Sequence, residues 1–349
     1  MALDVRFTRS GSALLYRNHA AYLAGIFPPT RSDCESTDAT CGNAIDCGIE
    51  ALNIGDAALN QAMDRLQSRK CNFFRFPLFP YWHYGKPGDA YSPFRREVNG
   101  LWKLDSLNGS YKDRLRRMIE IAATHKIAVQ LTLFDTNGIE AGAERWKRSP
   151  WNDDNNTSSF IKSSTGDGLT GFYQIDQIPA LKQIQEAYLQ WVVGWTKDYW
   201  NVFYEIMNEP GGNVDARVAW ANWVTGVIDG AVLSQRLIFY NMHPYTAPDM
   251  NHWSDNRATL TNYSKLDGVI FHGNPTDIKP GDARFAKYSD KIFQVSSDAG
   301  PIPYRCRKAW NTAVTNHAFN NGMMFQAETL SLPGADGIAA ANQQPTDLS

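Results

Sequence analysis

The chain has 349 residues, 43% of them hydrophobic and 12% aromatic, and a formal net charge of -2. That apolar fraction excludes a disordered tail protein, and the lack of basic excess argues against a nucleic-acid binder, which needs lysine and arginine to neutralise phosphates. No run of about 18 apolar residues marks a membrane span, and the opening MALDVRFTRSGSALL lacks the apolar core of a signal peptide.

In chain order, VRFTRSGSALLYR alternates apolar and polar residues around Ser10-Gly11-Ser12 and predicts a β-hairpin. Cys34, Cys41 and Cys47 then cluster in a loop-like stretch (DCESTDATCGNAIDCG), while Cys71 and Cys306 stand apart. Neither the spacing nor the surrounding residues fit a zinc site. A disulfide within the cluster implies an oxidising compartment, so the expectation is a secreted or extracytoplasmic protein. Five cysteines leave at least one thiol over, and Cys71 reads as a small core residue.

Eight short apolar runs follow one another: 21–27, 72–79, 127–134, 202–207, 236–240, 266–271, 292–295 and 323–326. Helical periodicity fills the gaps between them. Tyr111, Leu115, Met118 and Ala122 share one face, as do Leu181, Ile184, Tyr188, Trp191 and Trp195. Near-continuous apolar strands separated by helices predict a parallel sheet buried on both faces. Eight such units close naturally into a (β/α)8 barrel. A doubly wound open sheet is the alternative, but no G-x-G-x-x-G follows the first strand. The predicted architecture is one domain over 1–349, with the hairpin in 1–17 and a polar segment at 333–349 that leaves the eighth helix short or absent.

Barrel active sites sit where strands end and βα loops begin. Those places carry Trp82, His83 and Tyr84; Asp135 and Asn137; Trp151 with the NDDNN run after it; and Asn208 with Glu209. Further on come His243 and Tyr245, His272 and Asn274, Asp298, and Glu328. So many polar and aromatic residues at strand ends predict a catalytic cleft. Sugars present apolar C–H faces that pack on aromatic rings and hydroxyls that need fixed polar partners. Trp82, Tyr84, Trp102, Trp146, Trp151 and Trp253 fall in predicted βα loops, where some line the cleft and the rest cap the barrel mouth. Trp191, Trp195, Trp220 and Trp223, at helical spacing, are predicted core.

The segment 199–210 (YWNVFYEIMNEP) ends a strand with Asn208-Glu209-Pro210. It resembles the fourth strand of clan A glycoside hydrolases, family 5 in particular, and the helix before it resembles that family's third helix. Asn72-x-x-Arg75-x-Pro77-Leu78 resembles the second strand, whose arginine helps to order the acid/base region. Ser149-Pro150-Trp151-Asn152, continuing to Asn155-Asn156, is similar to a loop of other clan members. The resemblance spans most of 14–328. It implies a (β/α)8 barrel that hydrolyses a β-glycosidic bond in an oligo- or polysaccharide, with Glu209 as acid/base and Asn208 as a substrate-binding amide. Glu209 as a structural carboxylate paired with Arg75 is the alternative.

Glycoside hydrolysis passes through an oxocarbenium-like transition state and needs two carboxyls across the scissile bond. In the family the second is a glutamate at the end of the seventh strand, and the matching position in Ser297-Asp298-Ala299-Gly300 holds Asp298. Its carboxylate is withdrawn by roughly 1.5 Å, about one C–C bond. Retaining pairs stand about 5–5.5 Å apart and inverting pairs about 6.5–9.5 Å. Asp298 therefore serves as a nucleophile if the backbone restores the distance, or as a general base on water, or else the site binds sugar without turnover. A transglycosylase needs the same intermediate as the retaining route.

Other positions depart as well. His272-Gly273-Asn274 keeps the histidine of the sixth strand and loses its tyrosine, and Asp135 stands where a histidine is common. Glu328 ends the eighth strand, either as a stand-in second carboxylate or as a substrate hydrogen-bonder. The expected substrate-binding set is Arg75, Asn208, His272, Trp82, His83, Trp151, Asn137, His243, Tyr245 and Glu328. Asp153-Asp154-Asn155-Asn156 lacks the alternation of a calcium loop, so no metal and no cofactor are expected. The expected partner is the glycan alone, without nucleic acid or membrane, and the expected state is a monomer.

Overall fold

The structure is a computed structural model that describes residues 7–10, 13–16, 19–20, 22–26, 55–68, 72–78, 92–136, 139, 146, 149–158, 168–232, 236–241, 263–272, 290–297 and 323–327. Strands β1 (Phe7–Ser10), β2 (Ala13–Tyr16) and β3 (His19–Ala20) form a small antiparallel sheet, as the alternation around Ser10-Gly11-Ser12 predicts. The chain continues through β4 (Tyr22–Ile26), helix α1 (Asp56–Ser68), β5 (Phe73–Pro77), the ribbon β6 (Phe94–Arg96) and β7 (Trp102–Leu107), α2 (Gly109–Thr124) and β8 (Ala128–Asp135). Then come α3 (Gly168–Tyr173), α4 (Pro179–Thr196), β9 (Val202–Asn208), α5 (Val214–Val232), β10 (Ile238–Asn241), β11 (Gly268–His272), β12 (Ile292–Ser297) and β13 (Met323–Ala327). Strands β4, β5 and β8 to β13 close into an eight-stranded parallel barrel in which β13 pairs with β4. Each of the eight predicted apolar runs supplies one barrel strand.

The helices form for local reasons. Asn108 caps α2 by accepting from the Tyr111 N–H at 3.2 Å. The stripe Tyr111, Leu115, Met118 and Ala122 is fully buried. Helix α4 opens on Pro179, whose fixed φ suits the first turn, and it buries Leu181, Tyr188 and Leu189. Trp220 joins the core fully, while Trp191, Trp195 and Trp223 pack against it from its edge.

Inside, the barrel is layered. Leu23, Phe73, Ala128, Phe203, Phe239, Ile270 and Ile292 form an apolar floor, with Phe203 between Phe73 and Phe239 at ring distances of 5.8 and 5.5 Å. Gly268 is required here, because a Cβ would lie 2.2 Å from the Phe239 ring. Phe7, Leu14 and Tyr16 of the small sheet belong to the same cluster and so close the N-terminal end of the barrel. Arg9 fastens them, donating to Asp267 Oδ1 at 2.7 Å and to the Asp290 carbonyl at 2.9 Å. Above the floor, the Gln130 and Gln294 amides exchange hydrogen bonds of 2.9 and 2.8 Å.

Strand alternation then slips once. On β8, Gln130 and Thr132 join polar partners inside the barrel, whereas Leu131, Leu133 and Phe134 all belong to the outer core. On β9, Glu205 faces in while Tyr204, Ile206 and Met207 pack outward. Phe134 and Met207 are register partners, so both strands skip a step at the same level and keep the same register on either side of it. Phe134 is drawn outward by Trp151, Phe172, Tyr188 and Trp220, at ring distances of 5.3–6.2 Å. The slip turns Asp135 and Asn208 back towards the interior.

Candidate active site

The slip adds Asp135 and Asn208 to a buried polar cluster that Arg75, Thr132, Glu205 and Asn241 build inside β5, β8, β9 and β10. Arg75 grips Glu205 with Nε and one terminal nitrogen, and neither side chain is exposed beyond 1%. Thr132 donates to the same carboxylate at 2.6 Å, and Asn241 Nδ2 donates at 2.9 Å. A two-point guanidinium contact with further donors on the carboxylate is what an ion pair this deep needs to survive desolvation. Arg75 also donates to Asn208 Oδ1 at 2.7 Å, and Asn208 donates to Asp135 Oδ1 at 3.1 Å. The carboxylate that Arg75 grips is thus Glu205, four residues before Glu209.

Glu209 follows Asn208 directly and adopts φ +44, the left-handed region that residues with a Cβ seldom enter. The turn is held from behind. Arg217, from α5, donates to the Pro210 carbonyl at 2.5 Å. The Tyr173 hydroxyl, from α3, lies 3.2 Å from the Gly211 carbonyl and 3.3 Å from the Met207 sulfur. Backbone strain of this kind persists only where the surroundings over-determine it, and it gathers at functional sites. The side chain it presents is partly exposed, unlike the sealed Glu205.

This geometry accompanies a family match: residues 39–233 fit the Cellulase (glycosyl hydrolase family 5) model. The chain belongs to glycosyl hydrolase family 5. It is a glycosidase of the clan A (β/α)8-barrel type that acts on β-glycosides. Solved structures share the barrel. The endo-1,4-β-mannanase of Rhizomucor miehei superposes with a TM-score of 0.61 at 14% identity, covering 97% of this chain and 100% of that one. The endo-1,4-β-mannanase of Eisenia fetida gives 0.60 at 12% identity, covering 99% and 97%. A Thermobifida fusca endoglucanase, Cel5A, in complex with cellotetraose, gives 0.53 at 13%, covering 93% and 85%. Among curated proteins, none matches the chain by sequence.

Of the residues expected at the site of this family 5 chain, Arg75 and Asn208 hydrogen-bond to each other, and Glu209 follows Asn208 on the left-handed turn. Trp151 does not join them. It is 2% exposed, its ring taken up by Phe94, Phe134 and Phe172 at 5.2–6.2 Å, so it has no face to offer a sugar. Trp102 and Trp146 are similarly buried. The asparagines of the NDDNN run bond within their own loop: Asn152 receives the Asp154 N–H, and Asn155 and Asn156 donate to the carbonyls of Ser149 and Pro150. His272 ends β11, Asp298 is the residue after β12, and Glu328 is the residue after β13. The side chains of these three, with Trp82, His83, Asn137, His243, Tyr245 and all five cysteines, lie outside the described residues. Among the described residues no group of three or more His, Cys, Asp or Glu side chains is placed to hold a metal, and no helix is long and apolar enough to cross a membrane.

Glu205, Thr132 and Asn241 were not anticipated. The signal was available for the first. A glutamate amid VFYEIM, a strand buried on both faces, must point into the barrel and find a cation there, and NFFRFP offers the matching arginine.

Proposed function

We propose that this glycosidase cleaves β-glycosidic bonds in an oligo- or polysaccharide, with Glu209 as acid/base and Asp298 as the second carboxylate. The observation that carries the reading is the strained Glu209 backbone beside an Asn208 amide anchored to the buried Arg75–Glu205 pair. In this reading Glu209 passes its proton to the glycosidic oxygen as the C1–O bond breaks. Asp298 attacks C1 to give a covalent glycosyl-enzyme and a free leaving-group hydroxyl. Glu209, now a carboxylate, takes a proton from water, whose oxygen displaces Asp298 and releases the sugar with retained configuration. Asn208 binds a sugar hydroxyl near C1, while His272, Trp82, His83, Asn137, His243, Tyr245 and Glu328 contribute to the subsites. If the shorter Asp298 stands back, it instead deprotonates a water that attacks C1 directly, and the product anomer inverts.

The structural similarity to two endo-1,4-β-mannanases and to an endoglucanase bound to cellotetraose makes β-1,4-mannan and β-1,4-glucan the first substrates to offer. The test is reducing-end release from both, comparing the parent enzyme with Glu209→Gln and Asp298→Asn and following the first-formed anomer by NMR. Loss of about a thousandfold or more in each variant is expected, on the scale of disabling a two-carboxylate reaction. Full activity in Asp298→Asn would transfer the second role to Glu328. We also propose a single domain acting as a monomer outside the cytoplasm, with a disulfide among Cys34, Cys41 and Cys47 that mass mapping of the unreduced protein would reveal.

A further inference from the structure

The last residues of β8 and β9, Asp135 and Asn208, are register partners, both buried, and both turned inward by the shared slip in alternation. Asn208 donates from Nδ2 to Asp135 and accepts at Oδ1 from Arg75. A carboxylate thus holds the nitrogen end of the amide and a guanidinium holds the oxygen end. Flipping the amide would set NH2 against the cation and oxygen against the anion, so one polarity survives. One broad terminal torsion sets the plane of an asparagine amide, and a single hydrogen bond, tolerant in its angles, restrains that torsion only loosely. The Arg75 contact at Oδ1 and the Asp135 contact at Nδ2 hold the two ends of the rigid amide together, and the second narrows the plane that the first leaves wide. The other Nδ2 hydrogen makes no bond to any described residue, and it lies on the residue next to Glu209.

We propose that Asp135 is a positioning residue of this glycosidase, fixing the plane of the Asn208 amide so that its uncommitted N–H meets one hydroxyl of the sugar bound beside Glu209. The proposal rests on the substrate role given to Asn208 above. Hydrogen bonds to hydroxyls near C1 strengthen as the ring moves towards the oxocarbenium-like state, so misalignment lowers kcat more than it raises KM.

The test uses aryl β-glycosides of the favoured sugar and a set of analogues that each lack one hydroxyl. The parent enzyme is expected to discriminate against one analogue, and Asn208→Ala to erase that discrimination. Asp135→Ala and Asp135→Ser are expected to lose about tenfold in kcat on the complete substrate, the scale of one hydrogen bond, with little change on the discriminated analogue. Asp135→Asn, whose amide oxygen can still accept, recovers most of the loss. Asp135→Glu retains the charge and leaves no cavity, but its extra methylene moves the acceptor by about 1.5 Å; it shows the same selective loss even if the truncations fail to fold. An equal loss on both substrates, or no recovery in a folded Asp135→Asn, overturns the proposal in favour of a purely structural carboxylate. If Asn208→Ala leaves discrimination intact, the substrate role of Asn208 falls and the proposal with it. If only the Asp135 variants leave it intact, the proposal alone falls.

Discussion

Arg75 and Glu205 meet inside the barrel as a two-point ion pair, with side chains 1% and 0% exposed. Removing one partner strands the other charge away from water, which costs roughly 3–5 kcal/mol. Arg75→Met and Glu205→Leu are each expected to lower stability on that scale in urea titrations. The double variant should recover much of the loss, because two apolar side chains leave no unpaired charge. Activity should not recover with it, since Asn208 then lacks the donor on its oxygen. A double variant that regained both would reduce the pair to packing.

Glu209 carries its strain in the backbone, at φ +44. Glu209→Gln keeps a Cβ and therefore the strain, so its Tm should match the parent while activity is lost. Glu209→Gly removes the steric conflict and should raise stability by about 1 kcal/mol, the lower end of the left-handed penalty. A Tm for Glu209→Gly at or below that of Glu209→Gln would mean that the turn is unstrained.

The clamps behind the turn carry a separate expectation. Tyr173→Phe deletes the hydroxyl shared by the Gly211 carbonyl and the Met207 sulfur. With one neutral hydrogen bond lost, about 1 kcal/mol of stability should go. Because the turn positions Glu209, the proposed acid/base, kcat should fall more than tenfold with KM nearly unchanged, as a small displacement of a group in that role dictates. Steady-state kinetics on a soluble substrate would separate this from a change confined to Tm.

The barrel was legible because its strands are short apolar runs bounded by helical periodicity, and each run holds one observed strand. The Asn208-Glu209 end of β9 was legible because the residue types and their place at a strand end coincide. The slip at Phe134 and Met207 was not. Both are apolar residues in apolar strands, and their outward partners come from distant segments: Trp151, Phe172 and Trp220 around Phe134, and the Tyr173 hydroxyl at the Met207 sulfur. For the same reason Trp151 looked like a cleft residue. A tryptophan in a βα loop has the same local sequence whether it lines the mouth or seals the barrel wall.

The opposite end of the barrel should behave differently under mutation. Phe7 lies 4% exposed against Tyr16, Trp200 and Phe203, at ring distances of 5.2–6.2 Å. Phe7→Ala empties that plug and should cost about 3–5 kcal/mol. The N-terminal face of such a barrel supports stability rather than chemistry, so kcat/KM of the folded variant should match the parent below its lowered Tm. A change in kcat/KM at a temperature where circular dichroism shows full folding would contradict this division.

Alkaline pH tests the core through its phenols. Tyr111, Tyr204 and Tyr240 are buried, and desolvation pushes the pKa of each upward. Tyr111 donates to the Leu78 carbonyl at 3.1 Å, and the Tyr204 and Thr196 hydroxyls share a 2.7 Å bond. A raised folded pKa means that the fold favours the neutral phenol. That preference is fully present below the unfolded value of about 10, where both states are protonated. Above it the unfolded chain ionises and the folded chain does not, so stability falls as pH rises towards the folded values. Each such tyrosine adds about 1.4 kcal/mol of loss per pH unit in that window. Urea titrations from pH 8 to pH 11 should therefore stay level and then drop steeply, with absorbance at the phenolate band rising together with unfolding. In Tyr111→Phe the drop should be shallower by the share of one phenol, although stability at pH 8 is lower for want of its hydrogen bond. An unchanged slope in that variant would show that Tyr111 ionises within the folded protein.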